Sequence, residues 1–313
     1  MIISPASINA LFTGFETKWW QAYTQTPVFW NNIAMLQPST TEFQTFAWPA
    51  RIPVMRQWLG PRLANNMAPY VTTYQNLDYE LTESIGRNKI EDDQYDVFAT
   101  PLLQMMAEGA KKQPDYLLIN AISSAATTLI WDNANFFDTA HPVDMRNSAL
   151  GTQANKFTSS GLSLDNFATV YTKMEAFLGE NNKPLNIKPS LLMVPPALRT
   201  IAQQILFADY MAPQTYGGAT QVGSNTNVWK GSAQLLVVPE LQALSLGSTT
   251  WYMFDTTKVV KPFVWVLRKA AEFVYLNNPN DQNVFQRNEF DFGVHMRGNM
   301  NYALWFLAAQ ALA

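Results

Sequence analysis

WPARIPVMRQWLGPRLANNMAPYVTTYQNLDYELTESIGR, Trp48 to Arg87, decides how the rest of the chain is read. It runs without a lysine and leads into the acidic triplet Glu91, Asp92 and Asp93. Pro49, Pro53, Pro61 and Pro69 forbid a long helix, because each lacks the donor a helix interior needs, and they interrupt a regular central strand. Structureless connections beyond roughly 12 to 15 residues are uncommon in compact domains unless they have a task of their own. The stretch therefore predicts an extended, hairpin-like excursion, returning with the period-two texture of Tyr70 to Ile85. Its apolar side chains, Trp48, Ile52, Trp58, Leu63 and Tyr74 among them, need burial. An arm that leaves its own core finds that only against neighbouring subunits. Assembly is the implied class of function.

Apolar residues make up 48% and aromatics 13% of the 313 residues, but charged residues only 14%, against a usual level of about 25%. With few charges to face water, part of the surface is expected to be interface, where aromatics and Met are enriched. The thirteen methionines fit that reading, or serve as adaptable core filling. The length suits about two domains. A net charge of −3 and a pI near 5.5 argue against a nucleic-acid binder held by phosphate contacts, yet suit the wall of a DNA container. Without cysteine there is no disulfide or thiolate metal site, so stability rests on packing and association. MIISPASINALF lacks the basic start and cleavage site of a secretory signal, so synthesis in the cytoplasm is expected. The apolar run Tyr302 to Leu312 falls short of the roughly 20 residues that span a bilayer, and no membrane partner is expected.

Ile8, Leu11, Phe12, Phe15, Trp19 and Ala22 mark an amphipathic helix over 7–23 with Ser7 as its N-cap. Ile33–Met35 and Thr40–Trp48 read as strand. Thr100 and Pro101 read as cap and first residue of a helix to about Ala126, bent or split at Pro114. The polar stretch Asn147 to Gly161 is the predicted domain boundary. Beyond it, Ser163 opens a helix ended by Gly179, and Pro196 one ending near Phe207. Strands are expected at Ser190–Val194, Gln234–Val238 and Trp251–Phe254, with a loop over Tyr210–Asn227. From Pro262 the alternation at Phe263, Trp265, Leu267 and at Phe290, Phe292, Val294, Met296 is strongly β; Tyr302–Leu312 fits helix or buried strand equally.

Chemistry is sparse. Of the two histidines, His141 lies among Asp138 and Asp144, a set that could ligate a metal or supply a general base, but the spacing matches no metal motif and a loop histidine bonded to backbone is the plainer reading. His295 reads as a strand-face residue. Glu91, Asp92 and Asp93 could hold a divalent cation, but more simply bias a helix start or pair with an arginine of a neighbour. There is no phosphate-cradling GxxxxGK[ST] and no G-x-S-x-G elbow. No cofactor and no enzyme activity is expected.

Three groups of passages resemble the major head (capsid) subunits of Mu-like bacteriophages. They are MIISPASINALFTGFETKWWQAY with NNIAM; RIPVMRQWLGPR with LTESIGRNKIEDDQYDVFATPLLQMMAEGAKKQPDYLLINAI; and WDNANFFDTAHPV with FADYMAP, QLLVVPEL and FQRNEFDFGVHMRGNMNYALW. The resemblance implies an α+β Hong Kong 97-type capsid fold. Its parts would be an N-terminal arm (1–40), an extended loop or β-hairpin (41–90), a peripheral domain (91–147 and 261–313, with a spine helix at about 100–126) and an axial domain (148–260). It also implies self-assembly as hexamers and pentamers into an icosahedral head in the virion, enclosing double-stranded DNA, with a separate scaffolding protein and a portal as further partners and a decoration protein left open. Inter-subunit contacts are expected at Trp48, Arg51, Arg56, Trp58, Arg62, Glu91, Asp92, Asp93, Trp19 and Trp20. Two departures from the family pattern matter. No lysine lies between Lys18 and Lys89, so the lysine–asparagine cross-link that the founding member of the fold makes from this loop is expected to be absent. The chain also opens directly in the arm-like helix, which points to scaffolding by a separate protein and to no N-terminal cleavage. A soluble carbohydrate-binding or hydrolytic protein, with the aromatics as platforms, and a phage tail or baseplate subunit are the alternatives.

Overall fold

The computed structural model describes residues 4–48, 70–92, 96–145, 147–179, 182–211, 215–216, 219–220, 225–243, 248–278 and 281–313. Helix α1 (Pro5–Gln25) opens on Ser4, whose hydroxyl accepts the Ser7 N–H (3.1 Å) while the Ser7 hydroxyl accepts the Ser4 N–H (3.0 Å). This reciprocal box satisfies two orphan donors. Ser7 is therefore inside the first turn and not the cap: Pro5, which needs no donor there, starts the helix earlier. Ile8, Phe12, Phe15 and Trp19 form its buried stripe. The chain continues through β1 (Ala34–Pro38), β2 (Phe43–Trp48), β3 (Tyr70–Gln75) and β4 (Leu77–Gly86).

Helix α2 (Asp96–Ser124) is a single element with Pro101 and Pro114 both inside it, so the expected start at Thr100 lies past its first turn. Each interior proline costs about 3 kcal/mol. Leu103, Met106, Leu118, Ile119 and Ile122 are buried along the same helix, and at about 1.5–3 kcal/mol per large side chain their burial outweighs the lost bonds.

There follow β5 (Lys156–Phe157), α3 (Leu164–Glu175), β6 (Leu191–Val194), α4 (Arg199–Phe207), β7 (Gln234–Val237), β8 (Trp251–Phe254), β9 (Phe263–Leu276), β10 (Glu289–Tyr302) and β11 (Ala308–Ala311). Ser163 caps α3 as expected, accepting from the Asn166 N–H at 3.2 Å. Gly179 does not end that helix. It sits beyond it in a two-residue ladder, where a Cβ would meet the end of the Leu185 side chain. A 3₁₀ turn, Pro196–Leu198, precedes α4, and short two-residue ladders punctuate the 210–226 loop.

Two sheets organise the subunit. The first has the order β1–β9–β10–β4, with β1 parallel to β9 and the other pairs antiparallel. The second has the order β7–β6–β8–β11–β5. The Tyr302–Leu312 run resolves into a 3₁₀ turn, Trp305–Leu307, and the wholly buried β11. Residues 308–311 thus join the second sheet, where small alanines let this strand fit between β8 and β5.

Phe12 and Phe15 pack on Phe292, and Phe12 also on Phe290, fixing α1 to the first sheet. Phe136 reaches Phe263 (4.9 Å) and Tyr302 (5.0 Å), while its neighbour Phe137 reaches Tyr252 on β8 (5.7 Å). This pair wedges both sheets onto one continuous core.

Candidate assembly surfaces

Strands β2 and β3 pair from Phe43 opposite Gln75 to Trp48 opposite Tyr70 and form a two-stranded ribbon. Along 43–47 and 71–75 no residue is buried, and Phe43 and Val71 are more than half exposed. Its base is anchored, and the half-buried Phe46 packs against the core of its own subunit. The Asn76 amide donates to the Ser39 hydroxyl (3.0 Å) and the Thr41 carbonyl (2.8 Å), and the Tyr74 hydroxyl donates to the Tyr302 carbonyl (2.8 Å). Burial pushes the Tyr74 hydroxyl well above its ordinary range, so it stays a donor at any ordinary pH. Trp48 ends the ribbon as the last residue of β2. Arg51, Arg56, Trp58 and Arg62 lie outside the described residues, as does Asp93.

The arm helix corrects one expected contact. Trp19 is fully buried within its own chain, stacked on Tyr23 (4.9 Å) and tilted against Phe273 (5.7 Å), because the helical stripe turns it onto the first sheet. Trp20, one position on, points outward and is 39% exposed. Glu91 pairs with Arg87 inside a single helical turn (2.9 Å), and Asp92 ends that turn. Both carboxylates are exposed, but Glu91 already has a cation of its own chain beside it.

Two recesses flank α2. A cleft of about 650 Å³ separates it from α1 and is lined by Lys18, Gln25, Thr100, Gln104, Glu108 and Lys112. On its other side an apolar groove of about 200 Å³ runs between Tyr79, Leu81, Tyr116, Val294 and Met296.

The histidine loop does not form the Asp138–His141–Asp144 set. His141 is fully buried and its Nδ1 lies 2.6 Å from Asp132 Oδ2, with Nε2 3.1 Å from Asn155 Oδ1. Asp138 turns instead onto backbone: desolvation pushes its carboxyl up, but the N–H groups of Asn135, Thr139 and Ala140 and the nearby His141 outweigh this and hold it below the usual carboxylate range. The ring faces the side chains of Asp132 and Asn155, where the plainer reading expects a bond to backbone. Asn133, in the left-handed region (φ 61°), lies in the turn closed by the Ile130 N–H to the Ala134 carbonyl, directly after Asp132. His295 stands on β10, 3.4 Å from Asp78, in the strand-face position expected. Among the described residues no cluster of three or more potential metal ligands occurs, and no helix is long and apolar enough to cross a membrane.

The comparisons with known proteins agree along the chain. The family model described as Mu-like prophage major head subunit gpT matches residues 8–164, 157–241 and 242–312. The major capsid protein of Escherichia phage Mu is 24% identical over 308 residues, spanning 98% of this chain and 74% of that protein. The Mu-like prophage FluMu major head subunit of Haemophilus influenzae is 23% identical over 306 residues, spanning 98% and 73%. Among solved structures, the procapsid of bacteriophage JBD30 superposes with a TM-score of 0.62 at 24% identity, over 99% of this chain and 76% of that one. The capsid of cyanophage P-SCSP1u does so with a TM-score of 0.55 at 11% identity, over 92% and 88%. The architecture of ribbon, long helix and two sheets is therefore the Hong Kong 97-type capsid fold, and the chain belongs to the Mu-like prophage major head subunit family.

Proposed function

We propose that this major capsid protein assembles through its ribbon and arm into rings of six and five subunits that close as an icosahedral head around double-stranded DNA. One observation carries the reading: the β2–β3 ribbon buries none of its residues along 43–47 and 71–75. An isolated two-stranded ribbon is marginally stable in water. A second copy beneath it supplies the missing burial, and closed rings follow from repeating one such contact. The outward Trp20 and the exposed acids at Glu91 and Asp92 are further contact points, as are Trp48, Arg51, Arg56, Trp58, Arg62 and Asp93 in the sequence around the ribbon. With no lysine between Lys18 and Lys89, packing and not lysine–asparagine cross-linking holds these contacts. Scaffolding and portal proteins act with it in the host cytoplasm. The molecule is a structural subunit and not an enzyme, as its family is.

The test is negative-stain microscopy and sedimentation of the protein co-expressed with its scaffold. Uniform shells, rings or tubes are expected from the wild type, and a folded but soluble subunit from the double variant Phe43→Asp, Val71→Asp. Normal shells from that variant would refute the role of the ribbon.

A further inference from the structure

Tyr302, the last residue of β10, is held from two sides by parts of the chain that lie far apart in sequence. Its carbonyl accepts the Tyr74 hydroxyl of the ribbon at 2.8 Å. Its own hydroxyl donates to the Ala121 carbonyl at 2.7 Å and lies 2.9 Å from the Ser124 hydroxyl, both in the last turn of α2. That carbonyl is one of the four that a helix leaves over at its C-terminus, and the Ala125 N–H goes to Ile122 instead (3.4 Å). Together with the more distant Ser124 hydroxyl (3.3 Å), Tyr302 thus caps α2. Its ring is buried against Phe136 (5.0 Å) and Phe263 (5.8 Å), which holds the hydroxyl end and the backbone end in one orientation. Three residues earlier on the same strand, the Asn299 amide donates to the Gln75 carbonyl at 2.9 Å. The ribbon therefore leaves the subunit from the same short stretch of β10 that closes the long helix.

We propose that Tyr302 is a positioning residue that couples the ribbon to the C-terminal turn of α2. Its backbone sets the angle at which the ribbon departs, its side chain closes the helix, and a displacement on either side is felt on the other. The rival arrangement is an anchored ribbon and a capped helix that share a residue but no free energy. Coupling differs from it in being reciprocal: if loosening the ribbon loosens the helix end, loosening the helix end must loosen the ribbon equally. For its role in the shell the inference rests on the assembly reading: a neighbour that seats the ribbon steadies the end of α2 as well, so the long helix of each subunit registers whether its ribbon is engaged. The coupling itself belongs to the single subunit.

Amide hydrogen exchange on the unassembled full-length subunit tests it without any shell. Tyr74→Phe removes one hydroxyl from the ribbon. Exchange at the Ala125 amide, beside the α2 cap, is then expected to quicken about fivefold relative to Leu192 on β6, the scale of one net hydrogen bond. Tyr302→Phe removes the cap but keeps the carbonyl that Tyr74 uses. Exchange at the Asn76 amide, which donates to the Glu42 carbonyl at the ribbon base (2.9 Å), is expected to quicken by the same factor. Faster exchange confined to the ribbon in Tyr74→Phe, or to the helix end in Tyr302→Phe, would overturn the coupling and leave two independent bonds. Should Tyr302→Phe not fold, Tyr74→Phe decides alone. Because no shell forms in this experiment, its outcome is separate from that of the assembly test.

Discussion

Two backbone N–H groups, of Phe29 and Trp30, converge on the buried Asp115 carboxylate at 3.1 and 2.7 Å. Burial pushes this carboxyl up; the two N–H bonds oppose the rise and Glu240 adds to it. Asp115→Ala is expected to cost about 1–3 kcal/mol, because two donors lose their acceptor. Asp115→Asn keeps an oxygen for both and removes the charge that Glu240 opposes, so its urea midpoint should stay near wild type. With a folded-state value above the unfolded one near 4, the wild type gains stability relative to Asp115→Asn as pH falls through the folded value. Comparing urea midpoints at pH 7 and pH 5 tests that sign. Trp19 and Trp20 make a second contrast. Trp19→Ala should cost about 3–5 kcal/mol by opening a cavity, and Trp20→Ala should stay within about 0.5 kcal/mol in thermal unfolding of the subunit. Both residues were legible as aromatic, but only the phase of the helical stripe separates inside from outside. His141 was less legible still, because its partners Asp132 and Asn155 are selected by a chain reversal and a neighbouring strand that residue spacing does not contain.

Strand β10 carries a glycine at which an element succeeds or fails. A Cβ on Gly298 would lie 2.6 Å from the Val266 carbonyl oxygen and 2.7 Å from Trp265 Cη2, neither of which can give way cheaply. Gly298→Ala should therefore destabilise the β9–β10 pair by about 1–3 kcal/mol, while Gly86→Ala, which meets nothing within 4 Å, serves as the control in denaturant titrations. In the sequence between β2 and β3, replacing Trp58 or Arg62 is expected to leave the subunit folded by circular dichroism yet shift sedimentation away from shells. Elements with strong period signals, α1, α3 and the long β9 and β10, were legible in the sequence. The C-terminal strand was not, because Ala308–Ala311 is buried on both faces and so lacks alternation. Nor was the true start of α2, since its prolines suggest breaks that tertiary burial overrides.

At the scale of the whole molecule the chain's two ends are stitched into both sheets. β11 lies between β8 and β5, so a chain ending at Leu307 should fail to fold and appear in the insoluble fraction on expression, while the full chain stays soluble. The excursion after Trp48, the alternating strands beyond Pro262 and the polar stretch Asn147 to Gly161 were visible in the sequence. The sharing of the C-terminal segment between the sheets was not, because it depends on long-range pairing that no local pattern encodes.

The parallel pairing of β1 with β9, Ala34 opposite Phe263, has a further consequence for synthesis. Strand β1 leaves the ribosome more than two hundred residues before its partner, and long-range pairing of this kind is slow to close. The first sheet therefore cannot form until β9 and β10 have been made, long after α1, β1 and the ribbon. A chain interrupted before Phe263 carries the ribbon and α1 but neither β9 nor β10, so Phe12 and Phe15 lack the sheet they pack on.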